Sequence, residues 1–350
     1  MVNNVLVIGN GFDIAHGLNT KYDDFIKWVR NFKGDYRVLA KQKGDDFCSR
    51  IYINGFLKYF LEYTKEVYGW VDLERLIKEI VSQFEKFFIR YTDYITVNDD
   101  ILINTSSSIH SSVNDIQMMN CIGKFPIFGK IMHNFGDICY SLNSKYYTMT
   151  YGLNKREVVK LLRGQLEDLI QLLEIYLRGH FDEKKKELRN KEQIINIKPS
   201  YVISFNYTDT YKLYEIDEKD VYHVHGSLGL NNMVLGFDDN DPDNLEFIYF
   251  KKYFQRIQKL TGNYEIEKIV LFDEDFGEIH PMVHFYGHSM DNTDGDIIRE
   301  LDKIAEGFVI YKYSQDDYEQ KVINLIDIFG KDEATAMIQS GYVKFVDCEP

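Results

Sequence analysis

The sequence predicts an α/β fold, a mainly parallel sheet carrying a large all-helical insertion. Three observations lead to it. An apolar run at residues 5–8 (VLVI) passes straight into Gly9-Asn10-Gly11, the pattern of a buried strand feeding a tight turn. From about residue 33 to 196, apolar residues recur at three- and four-residue spacing, the period of an amphipathic helix. From residue 199 onward, short apolar runs alternate with amphipathic stretches, as in sheets built from strand–helix–strand units. The expected division is therefore a Rossmann-like domain formed by residues 1–30 plus 197–350, with six or seven strands, and a helical insertion domain at 31–196.

The elements follow in order. After the first strand, Thr20 and Asp23 have the spacing of a capping box, and Phe25, Trp28, Val29 and Phe32 continue it at helical spacing. Residues 51–67 predict a further helix. Leu73, Leu76, Ile77, Ile80, Phe84, Phe87, Phe88 and Tyr91 predict a long one. Val158, Leu162, Leu166, Leu169, Leu173 and Tyr176 predict another, ending near Gly179. Residues 182–192 (DEKKKELRNKE) read as a solvated helix face, and 104–114 (NTSSSIHSSVN) as a mobile loop. Strands are expected at 201–205, 221–225, 233–235, 268–272, 283–286, 308–311 and 343–346. Between them lie a stripe of Ile297, Ile298, Leu301 and Ile304, and a helix opened by a Ser314/Asp317 capping box.

Composition bounds the function. The chain has 350 residues, of which 45% are hydrophobic, enough for a sizeable core without metal or disulfide staples. Lys and Arg number 41 against 55 Asp and Glu, a net charge of −14, which argues against a general nucleic-acid binder. No apolar run reaches the roughly 18 residues of a membrane helix, and the N-terminal residues lack a secretory pattern. Cys48, Cys121, Cys139 and Cys348 form no C-x-x-C pair. They read as reduced thiols in a cytoplasmic protein without structural zinc.

The unusual residues fall at the carboxyl ends of predicted strands, where open α/β sheets bind ligands. These clusters are Gly9-Asn10-Gly11-Phe12-Asp13, Asn206 to Asp209, His225-Gly226-Ser227 and Gly287-His288-Ser289-Met290-Asp291. Gly9 and Gly11 either admit a phosphate or only satisfy a turn. The dinucleotide fingerprint would want Gly where Ile14 stands. Asn206, Asp209, Ser289 and Asp291 either bind ligand or cap helices, and His225 is either a base or a packed strand histidine. His223 and His225, two apart on one strand, are expected to share a face. A histidine-only zinc site from these and His284 and His288 lacks supporting spacing. The acidic loop 238–243 departs from the calcium-loop pattern at Asn244 and Phe250. No metal site is expected.

The segments LVIGNGFDIAHGLNTKYDDF, SFNYTD, VYHVHGSL and FYGHSMDNTD resemble, in order, the blocks of the AbiH family, bacteriophage abortive-infection proteins. That family looks distantly similar to sirtuins and sirtuin-like NAD-hydrolysing domains. On this resemblance Gly9-Asn10-Gly11 takes the place of Gly-Ala-Gly, Asn206 and Asp209 that of Asn-x-x-Asp, His225-Gly226 that of His-Gly, and Gly287 and Ser289 that of Gly-x-Ser. Asp13 stands where sirtuins have Ser, and their zinc module is absent.

The resemblance implies an antiviral-defence protein that is an NAD glycohydrolase depleting cellular NAD. His225, Asn206 and Asp209 would be catalytic. Gly9, Asn10, Gly11, Phe12, Asp13, Gly226, Gly287, Ser289 and Asp291 would bind the cofactor, which is NAD as substrate or ligand. The alternatives are a sensor of NAD or ADP-ribose without catalysis, and a metal-dependent hydrolase or nuclease. The expected partners are a small nucleotide and a phage-derived trigger, with neither bulk nucleic acid nor membrane; a homo-oligomer is compatible with the sequence.

Overall fold

A computed structural model describes residues 3–31, 41, 43–63, 73–95, 103–104, 124–134, 139–148, 152–237, 245–261, 269–273, 275 and 277–349. The loop 105–114, the acidic loop 238–243 and Cys121 lie outside the described residues.

Six strands form one all-parallel sheet: β1 (Asn4–Ile8), β2 (Tyr201–Ser204), β3 (Val221–His223), β4 (Met282–Tyr286), β5 (Gly307–Lys312) and β6 (Val343–Asp347). Their spatial order is β6-β5-β4-β1-β2-β3, the 3-2-1-4-5-6 order of dinucleotide-binding doubly wound sheets. β1 lies at the centre, paired with β4 through Asn4–Met282 to Ile8–Tyr286 and with β2 through Val5–Tyr201 to Ile8–Ser204. That position explains its unbroken apolar run, because a central parallel strand is covered on both faces.

The pleat sends Val5 and Val7 to one face, with Ile203, Phe285 and Ile310. They meet α9 (Gly295–Asp302), α10 (Gln315–Phe329) and α11 (Lys331–Gln339) through Ile298, Leu301, Leu325 and Met337. Leu6 and Ile8 point to the other face. There they meet Phe12 of α1 (Asn10–Ala15) and Ile194 of α7 (Glu192–Ile197).

Between β1 and β2 the chain builds α2 (Tyr22–Asn31), α3 (Asp45–Tyr52), α4 (Gly55–Tyr63), α5 (Leu73–Ile95) and α6 (Lys155–Lys184). Their apolar faces form a separate core, which also takes in Met233, Leu235, Phe237, Phe247 and Phe250 from beyond β3, just ahead of α8 (Lys252–Lys259). This region is not all helical. Ile103–Asn104, Met132–Asn134 and Cys139–Leu142 pair antiparallel, and Tyr147–Thr148 pairs with Gly152–Leu153. Pieces of two to four residues are too short to write a periodicity.

Other differences have local causes. The helix expected at 51–67 is broken at Ile53–Asn54, because Asn54 Oδ1 accepts the Leu57 amide at 3.0 Å and restarts the chain as α4. α6 runs past Gly179 to Lys184; the neighbouring His180 ring stacks on Tyr176 and accepts the Asn19 amide at 2.8 Å. The Thr20 hydroxyl donates to Asn10 Oδ1, and the Phe25 amide goes to the Lys21 carbonyl at 3.2 Å, so the Thr20/Asp23 box is not formed. Ser314 does cap α10, accepting the Asp317 amide.

Residues 233–235 make no strand. Gln255 brackets Leu235 instead, accepting its amide at 3.1 Å and donating to its carbonyl at 2.8 Å. Leu271–Asp273 leaves the main sheet and pairs antiparallel with Gly277–Ile279.

Candidate functional site

Because all six strands run the same way, the turns after β1, β2, β3 and β4 gather at one edge. The sheet order reverses between β1 and β4, so the first and last of these turns meet at the switch point. They meet backbone to backbone. Gly11 N donates to Gly287 O at 2.8 Å and Phe12 N to Gly9 O at 2.8 Å. A Cβ on Gly9 would lie 2.8 Å from His288 Cα, and one on Gly11 would lie 2.8 Å from Gly287 Cα. The glycines therefore serve loop packing, and two of the amides that a phosphate cradle would use are already bonded. Asn206 joins the same contact, its Nδ2 donating to Gly9 O at 2.9 Å.

Beside this junction lies a buried ionic cluster centred on Asp294. Lys252 Nζ is 3.1 Å from Asp294 Oδ1 and 2.7 Å from Glu74 Oε2. His225 Nε2 lies 3.2 Å from Asp294 Oδ1, outside hydrogen-bonding angles, and His288 Nε2 lies 3.6 Å from Oδ2. The Phe205 ring packs on both histidines, with centroids 5.3 Å from His225 and 4.3 Å from His288. His225, His288, Lys252 and Asp294 are all at least nine-tenths buried.

Electrostatics fixes most protonation states. Burial opposes the charge on Asp294, but Lys252 and the histidines outweigh it and hold the carboxyl well below its ordinary value. Burial likewise opposes the charge on Lys252, which Asp294 and Glu74 overcome. Burial lowers His225 against the pull of Asp294, so it is neutral near pH 7. His288 Nδ1 accepts the Met290 amide at 2.9 Å, which leaves its proton on Nε2, facing Asp294.

His225 is held by its own main chain. Its carbonyl accepts the Val234 amide at 2.8 Å. Gly226 turns the chain at φ +79, where a Cβ would strike Asn232 O at 2.3 Å. β3 has already ended at His223, so His223 and His225 do not share a face as expected. His223 packs on Tyr211, in the core on the α1 side, whereas His225 packs on Phe205, in the core on the α9 side.

The remaining expected residues divide. Asp13 is 2% exposed, and its Oδ2 accepts the Thr208 hydroxyl at 2.6 Å. Phe12 is fully buried against His16 and Tyr286, so its ring packs rather than meets a ligand. Asp209 does not join the His225 network. It pairs with Lys212 at 2.8 Å, and its charge acts on His223. Asp291 caps the following turn, accepting the Thr293 amide at 2.9 Å. Ser289 and Asn10 are exposed.

Asp294, Lys252 and Glu74 were not foreseen. Asp294 lies three residues past Asp291 in the same block, a signal that could have found it; Lys252 and Glu74 sit in no motif. Among the described residues no group of three or more His, Cys, Asp and Glu is arranged to hold a metal, and no helix is long and apolar enough to cross a membrane.

Burial raises Asp13 to about 6, partly offset by the Thr208 hydroxyl. A raised acid favours folding in its neutral form. That contribution is complete below the unfolded value of 3.8 and is lost as pH rises through about 6. Asp13→Asn, which cannot ionise, is therefore expected to gain on the wild type by about 2 kcal/mol between pH 4 and 7. Denaturant melts of both proteins at several pH values measure this; a constant difference would mean that Asp13 does not titrate there.

Together these features define an α/β protein of the Rossmann type with a polar carboxyl edge. Residues 5–311 match the family described as Bacteriophage abortive infection AbiH. The chain belongs to the AbiH family, which implies a role in phage abortive infection. Comparison with curated proteins and with solved structures finds no match.

Proposed function

We propose that the protein acts in abortive infection as an NAD glycohydrolase. The observation that supports this most is the neutral His225 beside the ionised Asp294, at the carboxyl edge of a sheet with the dinucleotide-binding strand order. The sirtuin-like order of the Asn206, His225 and Gly287 blocks points the same way. In the reaction the bond between ribose and nicotinamide breaks, and its electron pair leaves with nicotinamide, which becomes neutral. Water bonds to the anomeric carbon and loses a proton to His225. With Nε2 turned to Asp294, Nδ1 is the basic nitrogen, and Asp294 steadies the imidazolium that forms. Asn206 acts indirectly, by holding the Gly9 loop.

Purified protein incubated with NAD, with products separated by chromatography, is expected to yield nicotinamide and ADP-ribose. His225→Ala is expected to slow this by roughly 10²–10⁴-fold. His223→Ala serves as the control, since its ring packs on Tyr211; it should lower stability and leave turnover near wild type. Full turnover by His225→Ala, or none by the wild type at high concentration, would overturn the proposal.

A second reading, a nucleotide sensor without turnover, is favoured by the bonded state of the Gly11 and Phe12 amides and the depth of His225. NAD binding without products would select it.

A further inference from the structure

A cavity of about 460 Å³ opens between the first turns of α6 and the turn Leu245–Phe250, far in sequence from the glycine loops. That is within the roughly 300–1,000 Å³ of small-molecule sites. Its apolar lining includes Val159, which is 8% exposed, and Tyr249. Its rim is basic. Arg156, Lys160 and Arg163 follow one another along a single face of α6, at helical spacing.

Among the described residues the charge on this rim is largely uncompensated. The one carboxylate among the described lining residues, Glu246, is paired with Lys155 at 2.8 Å. Lys160 has only Glu157, one turn back at 3.7 Å. Neither Arg156 nor Arg163 forms an ion pair with a described residue. Arg163 instead lies over the Tyr249 ring, its Cζ 4.7 Å from the centroid. A guanidinium stacked in this way keeps its N–H edge available for a phosphate. In a chain of net charge −14, Arg156, Lys160 and Arg163 side by side around an apolar floor are not a surface average.

We propose that this cavity binds a nucleoside phosphate, the flat base against Val159 and Tyr249 and the phosphates on Arg156, Lys160 and Arg163. An apolar ligand would leave the rim unused, and an inorganic anion would leave the floor unused. The proposal is independent of the NAD reading, since the cavity shares no residue with the Asp294 cluster.

Calorimetric titration of the full chain tests it, with ATP, adenosine and tripolyphosphate as probes. ATP is expected to bind more tightly than either of the others. The double variant Arg156→Glu/Lys160→Glu, both exposed and outside any core, is expected to weaken ATP binding by about tenfold or more. Lys184→Glu/Lys185→Glu, at the far end of the same helix, should leave it unchanged. Equal affinity for tripolyphosphate (an adventitious ion only), equal affinity for adenosine, or indifference to the Arg156/Lys160 reversal would each overturn the proposal. The readout is ATP affinity, so absence of NAD turnover has no bearing on it.

Discussion

Lys252→Met is expected to lower the unfolding free energy by about 3–5 kcal/mol, the range for breaking a buried ion pair from one side. Lys252 is 1% exposed and lies within reach of Asp294, Glu74 and Thr293. Methionine fills much of the same volume, so the loss is one of charge rather than of packing. Two carboxylates are left facing each other with their shared cation gone. Denaturant titration measures the loss, and adding Glu74→Gln and Asp294→Asn should recover a large part of it. The deficit also depends on pH. In the wild type, Asp294 is held below its ordinary value, so its contribution is present above pH 3.8 and fades as pH falls. The gap between wild type and variant should therefore narrow in acid. A variant within about 1 kcal/mol of wild type at pH 7 would mean that the cluster carries no such charge.

Gly287→Ala is expected to be as damaging for a different reason. Gly287 has φ +67, and a Cβ there would lie 2.0 Å from Phe12 N and 2.4 Å from Gly11 C. Backbone cannot swing aside as a side-chain tip does, so the β1 and β4 turns must separate. The loss should exceed about 3 kcal/mol. Gly17 supplies the comparison, with φ +88 and nothing within 4 Å of its Cβ position. Gly17→Ala should cost only the left-handed strain, about 1–2 kcal/mol. Equal melting temperatures for the two variants would show that the close approach does not matter.

The sheet was legible because each of its strands is a short apolar run bounded by polar or glycine turns. The run at 233–235 looked the same, and nothing local says that Gln255 rather than a strand takes up the hydrogen bonds of Leu235. Alternation along a strand placed His223 and His225 together, but the rule holds only while the strand lasts, and β3 stops at His223. The block holding Asp291 and Asp294 was visible. Which of the two turns inward depends on the start of α9, and the inward one is Asp294. Lys252 and Glu74 reach the cluster from separate helices, so no spacing along the chain could have announced them.

The central place of β1 has a consequence for synthesis. Its neighbours begin at Tyr201 and Met282, so β1 waits for partners from the far side of the helical region. At 5–20 residues per second, Tyr201 follows Ile8 off the ribosome by roughly 10–40 s. Until then VLVI is an unpaired apolar segment on a nascent chain, a ready template for a wrong neighbour and a natural client for a chaperone. The junction of Gly9 with Gly287 cannot close before residue 287 has emerged. A product truncated before Gly287 would lack that junction and the carboxyl edge it completes, so whatever this protein does is withheld until the β4 turn has been made.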